Sequence, residues 1–232
     1  MDPLSAMRHT DREYEQELQQ LRDTVLLMGA RVEQMMSSAL AAFERSDQEL
    51  ARNTIALDVE IDRLEMDIDE RCVRVLARRQ PVASDLRFIT TTLKMVTDLE
   101  RMGDLAVNLC ERVLELDSET LKPVRTSLVE MGGVVSDMIH QALDAFIQAD
   151  AARAERVIQR DNVVDATYAK IFPELLGHMM QDPRSVAVAQ KLQSIAKYLE
   201  RVADHATNLG EMVVYMVRGE DKRHAPKLGR GA

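Results

Sequence analysis

Glu100 and Asp104 stand four residues apart in DLERMGDLAVNLCE, and Glu200 and Asp204 stand four apart in YLERVADHATNLGE. On a helix that spacing stacks two carboxylates on one face, where they repel by about 0.2–0.5 kcal/mol. Each pair is followed four residues on by an amide, Asn108 or Asn208. An earlier segment adds Asp58, Asp62, Glu65 and Asp69, each directly after an apolar residue: Leu57, Ile61, Leu64 and Ile68. If the helices carrying the two sets lie side by side, their carboxylates share one groove. Oxygen-rich clusters suit cations, whose charge removes the repulsion. Mg²⁺, Ca²⁺ and Mn²⁺ fit such donors, and iron or zinc stays open. The later copy keeps Asp161 and Asp165 but has Tyr168 and Phe172 where the next two acids would fall. The candidate metal ligands are therefore Glu100, Asp104, Glu200 and Asp204, joined by Asp58, Asp62, Asp161, Asp165, Asn108 and Asn208. Arg101 and Arg201 adjoin the acids and could pair with them or with a partner.

The elements that must position these groups follow from an internal repeat. MGARVEQMMSSALAAFERSD, starting at Met28, matches MGGVVSDMIHQALDAFIQAD, starting at Met131, at an offset of 103. The offset holds through Asp58/Asp161 and Asp62/Asp165, then becomes 100 at Glu100/Glu200, Asp104/Asp204 and Asn108/Asn208. Each half reads as three helices of roughly 40–50 Å at about 1.5 Å per residue. The expected fold is all-α: two tandem, pseudo-symmetric bundles of up-down-up helices at 1–118 and 119–219, with 220–232 a disordered tail. Pro81, Pro123 and Pro183 mark breaks. Ser46, Asp47, Ser84 and Asp150 are candidate caps.

In the third helix of each half the apolar residues step 4, 3, 4, 3, 4, 3: Met95, Leu99, Met102, Ala106, Leu109, Val113, Leu116, and Ile195, Leu199, Val202, Ala206, Leu209, Val213, Met216. This is a heptad seam. With Leu99 and Leu199 at a, the glutamates fall at b, the aspartates at f and the asparagines at c. The acids are thus expected on the outer, polar face.

Composition narrows the function. A net charge of −9 disfavours nucleic acid and anionic lipid. Apolar runs such as MVVYMV are too short to span a bilayer, and the first residues lack a signal-peptide core, so a cytoplasmic protein without membrane insertion is expected. Cys72 and Cys110 lie in helical patterns and read as buried thiols, and most of the 14 methionines read as core filler. No phosphate-binding GxxxxGK[ST] loop is present. A ferritin-like carboxylate-bridged metal protein would need a Glu-x-x-His pair, and no Glu has a His three residues later. His205, at g, suits a boundary role better than ligation. A histidine phosphotransfer bundle would rest on His140, but MIHQALDAF offers no Lys for the phosphoryl group.

The doubled Glu-Arg-(Met/Val)-(Gly/Ala)-Asp-x-x-x-Asn-Leu, at 100–109 and 200–209, resembles the signature of the PhoU family, and RRQPVASDLR resembles its connection into the third helix. The resemblance runs over roughly residues 10 to 220. It implies a cytoplasmic, helical, non-enzymatic negative regulator of the phosphate-starvation response. Such a protein would link the ATPase of the phosphate ABC importer to a sensor histidine kinase. It further implies a homodimer, and multinuclear iron or zinc at Glu100, Asp104, Glu200 and Asp204. The loss of acids at Tyr168 and Phe172 bears on cluster size in the second half.

Overall fold

The computed structural model describes residues 3–116 and 121–219, with side chains from Arg12 onward. The first half holds α1 (Pro3–Arg45), α2 (Gln48–Ile55), α3 (Asp58–Arg79) and α4 (Ala83–Leu114). The second holds α5 (Lys122–Gln148), α6 (Ala151–Gln181), a 3-10 turn (Pro183–Ser185) and α7 (Val186–Arg218). No strand occurs among the described residues. The expected boundary at 118/119 and the tail lie outside them.

Both halves turn the first corner with the same device. Ser46 (φ 54°) and Ala149 (φ 49°) take the left-handed conformation. The next amides, of Asp47 and Asp150, reach back to the carbonyls of Ala42 and Ala145 at 2.9 Å each, which closes the preceding helix as a Schellman turn. Each aspartate then caps the following helix, accepting from the Leu50 amide at 2.9 Å or the Arg153 amide at 3.0 Å. Pro123 lies in the first turn of α5, and Pro183 opens the 3-10 turn. Ser84 is not a cap. Extended Val82 (φ −121°, ψ 156°) follows Pro81 and starts α4 without a side-chain cap, so Ser84 falls inside the first turn.

One expected helix is divided. Between α2 and α3, the Ala56 amide bonds Arg52 O at 3.2 Å and the Leu57 amide bonds Thr54 O at 3.1 Å. Ala56 and Leu57 stay in right-handed helical space, so this is local tightening to i→i+3 geometry, not a reversal. Just before the tightening, buried Thr54 bonds its hydroxyl back to Leu50 O at 2.8 Å. Its counterpart is Val157, and α6 runs through unbroken.

The seam residues of α4 and α7 are buried, with Met216 partly so. They build one shared core, because α4 packs on α7 and α1 on α5 as well as on the helices of their own halves. The bundles therefore lie side by side and not as separate beads. Between α1 and α5, Gly29 receives Leu143 and Gly132 receives Leu40. At either glycine a Cβ would sit well inside van der Waals contact with the leucine methyls. The four residues exchange under the repeat, so the two contacts are one contact related by a pseudo-twofold axis. The equivalent pair Arg22 and Arg125 repeats the theme: Arg125 lies over the Phe43 ring at 4.6 Å, and Arg22 over Phe88 at 5.1 Å. Phe88 in turn stacks on Phe146, the counterpart of Phe43, at 6.0 Å. Cys72 and Cys110 are buried free thiols, pushed up to about 12 by burial. Among the described residues no helix is long and apolar enough to cross a membrane.

Candidate functional site

Pairing of α3 with α4, and of α6 with α7, brings the predicted carboxylates together in two grooves. In the first, burial raises Asp58, Glu65 and Glu100 above the ordinary carboxylate range, and neighbouring acids add to it. Asp62 and Asp104 act on Asp58; Asp69, Asp62 and Asp104 act on Glu65; Asp104 and Glu65 act on Glu100. The second groove is built alike. Burial, then repulsion from Asp165, Asp204 and Glu200, pushes Asp161 up to about 6. Asp204 is raised by burial, then by Glu200 and Asp165, against the lowering pull of Lys197 and His205.

The depth of these groups differs from expectation. Glu100 and Glu200 are each only 17% exposed at the side chain, not on an outer face. A heptad label positions a residue relative to its own seam only; here a second helix lies along the b side and takes water away from it. Asp62, Asp165 and Asp204 do remain exposed.

Among the described residues each groove carries one cation on its acids. Arg101 folds back along α4, with Nε 3.3 Å from Glu100 and Nη1 3.1 Å from Asp104. Lys197 lies 2.7 Å from Glu200 and 5.5 Å above the Tyr168 ring. Tyr168 occupies the place of Glu65, and its hydroxyl accepts from Gln193 Nε2 at 3.2 Å. The second groove has thus exchanged a carboxylate for an aromatic platform. Arg201 is exposed and, unlike Arg101, forms no ion pair among the described residues.

Asn208 is engaged through its amide nitrogen, not through the oxygen with which an asparagine binds a metal. Its Nδ2 donates to Asp98 Oδ1 at 3.1 Å, and His205 Nδ1 lies 2.6 Å from the same oxygen. The three residues join α7 to α4 across the two halves. Asp98 was not singled out from sequence, yet it stands at g, like His205; two g positions meet when the seams pack face to face. The boundary role expected of His205 is the one seen. Asn108 is half-buried at the matching place on α4. His140 makes a second bridge between the halves, to Glu33 at 3.0 Å, with Asp144 at 3.9 Å. Flanking carboxylates repel a phosphoryl group, which argues against phosphotransfer at this position.

The donor chemistry of both grooves fits a hard cation: half-buried carboxylates from two helices that destabilise one another when charged. As the side chains stand, no three His, Cys, Asp or Glu among the described residues are gathered to hold one ion. Arg101 and Lys197 hold oxygens that an ion would need.

The comparison with known proteins accords with this doubled architecture. The PhoU domain matches twice, over residues 25–113 and 128–213. The phosphate-specific transport system accessory protein PhoU of Escherichia coli (strain K12) is 37% identical over 224 residues, covering 97% of this chain and 93% of that protein. Its homolog in Pseudomonas aeruginosa is 40% identical over 221 residues, covering 95% and 91%. The crystal structure of PhoU from P. aeruginosa superimposes with a TM-score of 0.86 at 40% identity, covering 89% of this chain and 100% of that one. The phosphate transport system regulatory protein PhoU from Streptococcus pneumoniae gives 0.82 at 32% identity, covering 90% and 98%. Matched in both halves and over nearly its whole length, the chain belongs to the PhoU family.

Proposed function

We propose that this chain regulates phosphate-specific transport as an accessory protein. It works in the cytoplasm as a docking adaptor between the ATPase of the phosphate importer and a sensor histidine kinase. With phosphate plentiful it holds the kinase in its inhibitory state and so represses the phosphate-starvation genes. The observation that carries this reading is the pair of matched acidic grooves on a doubled PhoU domain, in a chain whose relatives are named for that transport system. An adaptor needs two recognition faces and no catalytic group; the reading is accordingly non-enzymatic, with the chain acting as a homodimer.

Metal binding is part of the proposal. Glu100, Asp104, Asp58 and Asp62 would hold an ion in the first groove, and Glu200, Asp204, Asp161 and Asp165 in the second. Iron, zinc, magnesium and manganese are the candidates. When bound, such an ion supplies positive charge that relieves the repulsion and offers a bridge to a partner's anionic group. It competes with Arg101 and Lys197 for the same oxygens. Asn108 and Asn208 are further candidate donors through their amide oxygens.

Reversal of Glu200 and Asp204 to lysine tests the reading. Repression of phosphate-starvation genes in phosphate-rich medium is expected to fail while circular dichroism shows unchanged helicity. Full repression by the folded double variant would refute it.

A further inference from the structure

The outward face of α6 carries Ala166, Ala169, Pro173, Leu176 and Met180, spaced 3, 4, 3, 4 and all exposed. Leu176 is 43% exposed, Met180 79%, and Phe172 at the edge of the row 54%. This is heptad spacing turned to solvent. Core packing does not demand it. The equivalent positions of α3, 103 residues earlier, are Arg63, Met66, Glu70, Val73 and Ala77, with Asp69 in the place of Phe172. One copy of the repeat breaks its outer face with three charges, and the other leaves it apolar.

Two features define what covers the row. The first is size. From Ala166 to Met180 the row runs 14 residues, about 21 Å, and one helix is about 10 Å wide. That strip of roughly 200 Å² is one helix wide and far below the ~800 Å² per partner of a standard stable interface, so by itself it suits a small, reversible contact. The second is charge. Asp161, Asp165 and Tyr168 lie on the edge of α6 beside Asp204, Glu200 and Gln193 of α7, and Phe172 continues that edge by helical spacing, so the apolar row borders the second carboxylate groove. A helix lying on the row brings one end beside four acids that already repel each other.

We propose that the outer face of α6 is the docking site for an amphipathic helix of a partner protein. That helix has an apolar stripe of about four turns and Lys or Arg residues at the end that meets Asp161 and Asp165. The inference rests on the adaptor reading and locates one of its two faces. An apolar strip of this size, with an acidic margin, gives a reversible contact whose strength falls with salt.

The test uses the full chain with Phe172→Asp and Leu176→Asp together, beside a control with Met66→Asp and Val73→Asp on α3. All four positions are solvent-facing, and circular dichroism checks that both variants stay folded. The probes are the purified importer ATPase and, separately, the cytoplasmic part of the sensor kinase, measured by biolayer interferometry at low and high salt. The α6 variant is expected to bind one of the two at least tenfold more weakly, with the control within twofold of the unmodified chain. Binding of both probes undiminished by the α6 variant overturns the inference and leaves the adaptor reading standing. Equal weakening by the control overturns it too. Loss of self-association by the α6 variant, with partner affinity unchanged, would make a second copy the occupant and overturn it. Failure of the unmodified chain to bind either probe defeats the adaptor reading and this inference with it.

Discussion

Asp161 offers the most direct test of whether the second groove is under electrostatic load. In the folded chain it keeps its proton up to about pH 6, against an ordinary value of 3.8, through burial and through Asp165, Asp204 and Glu200. Below pH 3.8 the group is protonated whether the chain is folded or not, and it costs nothing. As pH rises from there to about 6, the unfolded chain gives up its proton first, so stability falls across that window and the penalty is complete above it. A gap of about two pH units corresponds to roughly 3 kcal/mol at most. Asp161 is only half-buried, and solvent screening reduces this to about 1–2 kcal/mol. Asp161→Asn removes the charge and keeps the shape. Urea unfolding at pH 7.5 should show the variant more stable by that amount, and at pH 4 by no more than about 0.5 kcal/mol. An equal gain at both pH values, or none at pH 7.5, would show that the four acids of this groove do not strain the fold.

Arg101→Ala frees Glu100 and Asp104, so Mn²⁺ binding measured by calorimetry should tighten by about 3- to 10-fold, in line with the loss of two ion pairs whose arginine is solvent-exposed. Unchanged or weaker binding would mean that the arginine and the ion do not share oxygens. Gly29→Ala and Gly132→Ala each crowd a leucine from the other half. Overpacking of about 1–3 kcal/mol, set against roughly 1 kcal/mol regained in helix propensity, leaves a net loss of up to about 2 kcal/mol for either variant. The two losses should match, and Leu143→Ala should partly rescue Gly29→Ala in a double-variant cycle. Unequal losses in thermal unfolding would argue against a shared axis.

Much of this fold can be read from residue order because the governing rules are local. A 4, 3 alternation from Met95 to Leu116 predicts burial of that stripe whatever packs on it, and Asp47 and Asp150 cap because the amides they serve lie three residues on. Ser84 fails as a cap because α4 already begins at Ala83, one residue before it. The tightening at Ala56–Leu57 has no Pro or Gly to announce it. At the site, the types and spacing of the acids were legible, but their depth was not. Periodicity says which way a side chain leaves its helix and is silent on what lies alongside. For the same reason the bond from Asn208 to Asp98 on the facing helix could not be foreseen. Tyr168 and Phe172 were visible as departures from the repeat. Their consequences, a platform under Lys197 and an apolar outer row, appear only once α6 and α7 are side by side.

The glycine–leucine exchange between α1 and α5 has an ancestral reading. Gly29 and Leu40 lie on a single helix, so one copy of the motif already carries both the socket and the knob. A half-length forerunner would have needed nothing beyond a twin of itself to complete this junction. Joining two such genes end to end would have turned a concentration-dependent pair into an obligatory one, and released each copy to diverge on the surfaces its twin does not cover.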